Sequence, residues 1–94
     1  MLLLRRVVGD SMLPALAADK LVVALRSHRY RPGDVVILNH NNLEKIKRIA
    51  KVSDGQVFVL GDNPPHSTDS RSFGWLPLSA IMAKVIWPKT RPQA

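Results

Sequence analysis

Three short stretches hold residue types that could do chemistry together. They are Gly9-Asp10-Ser11-Met12-Leu13-Pro14 near the start, Lys47-Arg48 in the middle, and Gly61-Asp62-Asn63 followed by Ser67-Thr68-Asp69-Ser70-Arg71. A serine hydroxyl is a weak nucleophile at neutral pH until a neighbouring base takes its proton. Lysine can be that base only where its own pKa has been lowered. In water the ammonium titrates near 10.4, and burial can lower this by up to about 3–5 units. The chemistry these residues could support is acyl transfer by a Ser-Lys pair, and it demands a buried lysine.

The elements that would position these groups are short. Residues 20–25 and 34–39 are β-branched apolar runs of strand length, separated by the turn signal Arg31-Pro32-Gly33-Asp34. A third strand is expected at Gln56–Leu60, entered through Ser53-Asp54-Gly55 and left at Gly61, and a fourth at Met82–Trp87, stopped by Pro88. Strands joined by tight turns, with no long helical pattern between them, predict a mainly β domain of curled antiparallel sheets or a partly open barrel, with at most one short helix.

The segment 43–52 supports two readings. Apolar residues at 43, 46, 49 and 50 match one face of an amphipathic helix, which would leave Lys45, Lys47, Arg48 and Lys51 in solvent. As a strand it would put Leu43, Lys45, Lys47 and Ile49 on one face and carry Lys47 into the interior. The residues alone leave both open, and they place the same lysine in opposite surroundings.

Composition narrows the function classes. A chain of 94 residues forms one small domain around a single core, expected over 1–88 with a C-terminal tail at 89–94. With no cysteine there is no disulfide framework, thiolate metal site or cysteine nucleophile. Fourteen Lys and Arg against seven Asp and Glu give a net charge of +7, but the basic residues are scattered and read as a solvated surface. Five aromatic residues supply a base-stacking surface poorly, so no nucleic-acid partner is expected. Three scattered histidines make no metal site; His28 and His40 are expected to be exposed, and His66 beside Ser67 is not read as a Ser-His dyad. No apolar run approaches the roughly 20 residues of a membrane span, so the chain carries no integral membrane segment. It is expected to be soluble and cytoplasmic, or membrane-associated if it is part of a longer anchored enzyme.

Taken in order, the motifs resemble the type I signal peptidase family of Ser-Lys proteases across nearly the whole chain. Ser11-Met12-Leu13-Pro14-Ala15-Leu16 is similar to the family's nucleophile box, Gly33-Asp34-Val35-Val36 to the strand box, and Ile46-Lys47-Arg48-Ile49 to the box bearing the general base. Gly61-Asp62-Asn63, Ser67-Thr68-Asp69-Ser70-Arg71 and Phe73-Gly74-Trp75-Leu76-Pro77 resemble the last box. The chain departs from the family pattern at Ala15, where a threonine is usual, and in having only 12 residues between Arg48 and Gly61, where a large insertion is common.

The resemblance implies a fold like that of signal peptidases and SOS-repressor proteases, with 43–52 as a strand. It implies Ser11 as nucleophile, Lys47 as general base, and the Ser11 N–H as part of an oxyanion site. Ser67 would orient the Lys47 amine, Asp69 and Arg71 would form a supporting ion pair, and Gly61, Asp62 and Asn63 would be structural. Met12 would line the substrate surface and Pro14 would shape the turn. No cofactor or metal is implied. The partner would be a precursor protein bearing a propeptide or leader, and the short chain is most similar to the nickel-type superoxide dismutase maturation proteases. The alternatives are the catalytic domain of a membrane signal peptidase, a self-cleaving repressor, for which the Ala-Gly cleavage pair and DNA-binding domain are missing, and a basic nucleic-acid-binding module.

Overall fold

The computed structural model describes residues 1–27, 29–66 and 68–90. Along the chain the elements are β1 (Leu2–Arg6), β2 (Leu21–Leu25), β3 (Val35–His40), β4 (Leu43–Ser53), β5 (Gln56–Leu60), α1 (Ser70–Phe73), β6 (Leu76–Pro77) and β7 (Ile81–Trp87), with short 3-10 turns at Pro64–His66 and Leu78–Ala80.

Two tight turns organise the centre. Asn41 and Asn42, with φ of 54° and 62°, join β3 to β4, and Asp54 and Gly55, with φ of 49° and 76°, join β4 to β5. Asn, Asp and Gly are the residues that accept this left-handed backbone in two-residue hairpin loops. With a hairpin at each end, the 11 residues of β4 pair on one side with β3 and on the other with β5. The register against β5 slips between Ile49 and Lys51, so Ala50 is the extra residue of a bulge. Pairing along both edges is what overrides the helical pattern of 43–52 and makes the segment the strand that the resemblance implies.

All pairings are antiparallel, in the order β1-β2-β7-β3-β4-β5-β6. The sheet is open, with β1 and β6 at its edges, but strongly curled: Arg5 Nε on β1 donates to Glu44 Oε1 on β4 at 2.5 Å, although three strands lie between those two in the sheet order. Both faces are covered at the centre, so Val35, Val36, Ile37 and Leu38 are all buried and read as a continuous apolar run rather than an alternating one. On one face Val36, Leu38 and Ile49 pack with Val57, Val59, Leu76 and Ile81. On the other, Val35 packs with Val7, Met12, Leu16 and Val22, while Ile46 lies against this cluster and against Ala24, Ile37 and Ala83.

The strands expected at 20–25, 34–39, 56–60 and 82–87 are present to within a residue at each end. β1 and the two-residue β6 were not foreseen, because Leu2–Arg6 has no polar alternation and Leu76–Pro77 is too short to carry a pattern. Of the expected tail, residues 91–94 lie outside the described residues, and Thr90 Oγ1 accepts a 3.3 Å hydrogen bond from Arg48. Among the described residues no helix is long and apolar enough to cross a membrane.

Candidate active site

Lys47 lies opposite Val36 in the middle of the sheet. Strand alternation places it on the same face as Lys45 and Ile49, and it is only 5% exposed. Burial is the main cause that pushes its pKa below the ordinary lysine value; the Lys45 and Arg71 cations push the same way, and the Asp69 carboxylate opposes them.

Ser11 lies in the turn region that follows β1. Its neighbour Met12 is fully buried and pins that turn to the core with Leu16. Backbone bonds from Leu13 N to Asp10 O (3.2 Å) and Leu16 N to Met12 O (2.8 Å) hold its shape, and Pro14 is exposed at its outer side. A cavity of about 370 Å³ is lined by both Ser11 and Lys47, with Val7, Met12 and Ile46 supplying apolar wall. The structure thus brings together, in one recess, two residues that stand far apart in the chain.

Comparison with known proteins identifies a family. Residues 38–89 match the model of the family described as signal peptidase, peptidase S26. The chain belongs to that family. It is 34% identical over 84 residues to mitochondrial inner membrane protease subunit 1 of Schizosaccharomyces pombe, covering 86% of this chain and 52% of that protein. With the Saccharomyces cerevisiae subunit 1 it shares 35% identity over 66 residues, 58% of this chain and 35% of the relative. With signal peptidase I of Bacillus caldolyticus it shares 36% over 67 residues, 68% of this chain and 37% of the relative. The chain therefore spans about half or less of the length of these curated relatives.

Within this S26 domain, the loop after β5 is tied to the Ser11 turn. Asn63 N donates to Ser11 O at 2.8 Å, and Asn63 Nδ2 donates to Asp10 O at 2.9 Å. Asp62, next to it, accepts from Arg48 in a two-pronged pair, Nε to Oδ1 at 2.9 Å and Nη2 to Oδ2 at 2.8 Å, with both side chains 7% exposed. Arg48 Nη1 also donates to Gly33 O at 2.8 Å. A planar guanidinium matches a carboxylate in this way, and few other groups could neutralise a cation so deeply buried.

Asp69 is 1% exposed and organises the start of α1. Its carboxylate accepts from Arg71 N (3.1 Å), Arg71 Nε (2.9 Å) and Gly61 N (2.9 Å), and is also paired with Arg71 Nη2. The neighbouring Ser70 hydroxyl accepts from Val59 N at 2.8 Å. Asp69 therefore ties the helix to the end of β5 while facing Lys47 electrostatically. Ser67, expected to orient the Lys47 amine, lies outside the described residues, as does His28. Met12, expected at the substrate surface, has no solvent exposure and shapes the cavity wall from the core side. His40 is half-buried rather than exposed, stacked on Phe73 with ring centroids 4.2 Å apart.

The Arg48 side chain is the site feature that residue reading missed. The helical reading placed it in solvent; as the strand neighbour of Lys47 it points to the opposite face, where Asp62 and Gly33 O receive it. The available signal was the Lys47-Arg48 pair between the apolar Ile46 and Ile49, followed by Asp62 in the loop after β5. Among the described residues no group of three His, Asp or Glu side chains could hold a metal.

Proposed function

We propose that this chain is a serine endopeptidase in which Ser11 is the nucleophile and Lys47 the general base, removing a propeptide or leader from a precursor protein. The observation that carries the proposal is the shared cavity: a lysine 5% exposed, its pKa lowered chiefly by burial, lines the same recess as a serine fixed by a buried neighbour. Neutral Lys47 takes the proton from Ser11 Oγ as the oxygen attacks the scissile carbonyl carbon. The Ser11 N–H contributes to holding the developing oxyanion. The resulting ammonium gives its proton to the leaving amine as the peptide C–N bond breaks, leaving an acyl ester on Ser11. Lys47, neutral again, deprotonates a water that attacks the ester, and collapse of that intermediate returns the proton to Ser11.

For the substrate we propose the precursor of a nickel-type superoxide dismutase, processed in the cytoplasm. Support comes from the resemblance to such maturation proteases and from the direct passage of β4 into β5 through a two-residue turn, where a large insertion is common in the family. A second reading has its own support: the relatives are named mitochondrial inner membrane protease subunit 1 and signal peptidase I, and the chain spans half or less of their length. In that reading the domain processes membrane-translocated precursors.

The test is intact-mass analysis of the dismutase precursor co-expressed with wild type, Ser11→Ala or Lys47→Ala. Loss of the propeptide with wild type alone supports both mechanism and substrate. Cleavage by the Lys47→Ala protein would refute the base assignment. An intact precursor with all three would refute the dismutase assignment and favour leader-bearing membrane precursors.

A further inference from the structure

One side chain at the mouth of the Ser11–Lys47 cavity is held in place yet only partly used. Arg5 lies on β1, an edge strand, opposite Val22, a fully buried residue of β2. Strand alternation therefore turns Arg5 to the face that Val22 shares, and Arg5 lines the cavity. Nε is committed to Glu44 Oε1 and Nη1 to Leu4 O at 2.9 Å, which fixes the guanidinium plane. Nη2 has no partner among the described residues, and the Arg5 side chain is 36% exposed.

A guanidinium carries five donors in a rigid fork, so one carboxylate does not saturate it. The surroundings favour a second. Arg6 and Lys45 line the same cavity and Glu44 is the only carboxylate among its lining residues, so the recess stays positive even with Lys47 neutral. Arg6 is tethered to Asp19 O at 3.1 Å, and Lys45 Nζ lies 3.3 Å from His40 Nδ1 and 4.9 Å from the Phe73 ring centroid. Arg5 is the cation both oriented and open. A cleft of one sign concentrates ligands of the other.

The geometry points to Arg5 as a specificity-determining residue that selects substrates with an acidic side chain close to the scissile bond, Glu44 acting as the positioning residue that aims it. This rests on the peptidase reading above and names the class of peptide that the site takes. A peptide seated in the cavity would present its acidic side chain to Nη2, giving a shared pair of carboxylates on one guanidinium.

The test is digestion of a degenerate synthetic peptide pool by wild type, Ser11→Ala, Arg5→Gln, Arg5→Glu and Glu44→Gln, with products sequenced by mass spectrometry and melting followed by circular dichroism to confirm folding. In low salt, wild type is expected to cleave peptides with Glu or Asp at one flanking position about two- to fivefold faster than their Lys counterparts, the size of effect a half-exposed ion pair gives. Arg5→Gln is expected to abolish that ratio and Arg5→Glu to invert it, while Glu44→Gln, whose amide oxygen still accepts from Arg5 Nε and so still aims it, keeps it. Cleavage by wild type without an acidic preference, or a preference that survives in folded Arg5→Gln, would overturn the inference and leave the peptidase reading intact. Absence of any product beyond those made by Ser11→Ala would overturn both.

Discussion

Replacing Lys47 by methionine is expected to make the protein more stable at neutral pH while removing its activity. Methionine keeps an unbranched apolar side chain in a position 5% exposed and carries no ammonium to desolvate. Because burial lowers the Lys47 pKa in the folded state, the unfolded chain binds more protons than the folded one between the folded value and the ordinary lysine value. Stability of the wild type therefore rises with pH across that window, and the full penalty applies below it. Each unit of lowering is worth about 1.4 kcal/mol, which in a domain of this size moves Tm by roughly 5–11 °C. Some of the gain is offset because the Asp69 carboxylate, which favours the ammonium, loses that neighbour. Its bonds to Gly61 N and Arg71 remain. The assay is thermal or urea unfolding of both proteins from roughly pH 6 to 10. The expected signature is a variant that starts ahead and loses its lead as the pH rises. A gap that is independent of pH, or a variant less stable than wild type at neutral pH, would refute the claim that burial lowers the Lys47 pKa.

The rate of cleavage by the wild type should rise with pH through the same lowered pKa, and Asp69→Asn should move that rise to lower pH, since Asp69 is the group that favours the charged lysine; a shift to higher pH in the kcat/KM profile would contradict it. Lys47→Arg, which places a guanidinium that stays charged in the same recess, should be inactive at every pH and less stable than wild type in urea unfolding, the opposite sign to Lys47→Met. Asp62→Ala leaves the buried Arg48 with Gly33 O and Thr90 Oγ1 as its acceptors among the described residues, and should cost about 3–5 kcal/mol in urea unfolding. Its kcat/KM should fall even where the protein is fully folded, because Asp62 precedes the residue that holds the Ser11 backbone.

How much of this was legible follows the range of each interaction. The strands at Leu21–Leu25, Val35–His40, Gln56–Leu60 and Ile81–Trp87 carry their own β-branched runs and turn residues, so local reading found them. Residues 43–52 carry a helix-compatible pattern; only the two flanking strands make them extended, and the motif resemblance, not the periodicity, favoured that outcome. The nucleophile and base candidates were visible as residue types, but their meeting in one cavity depends on the curl that brings β1 to β4, which no local pattern encodes. The Arg48–Asp62 pair was invisible for a related reason: alternation along a strand is read only after the strand is known, and the partner lies 14 residues on.

Lys47 and Arg48 show why adjacent cations in one strand need not be redundant. Alternation sends them to opposite faces, and both are nearly inaccessible to solvent. An arginine cannot shed its proton, so its burial requires a carboxylate, and Asp62 supplies one in fork geometry. A lysine can shed its proton, and there the nearby carboxylate, Asp69, is already occupied by Arg71 and two backbone donors. Desolvation outweighs the Asp69 carboxylate that favours the ammonium, and Lys45 and Arg71 push the same way as desolvation. The strand thus holds one cation charged to anchor the loop that clasps Ser11, and lowers the pKa of its neighbour, as the proposed mechanism requires. Exchanging the two residue types would defeat both the anchor and the proposed proton transfer: lysine lacks the fork for Asp62, and arginine at position 47 could not take a proton from Ser11.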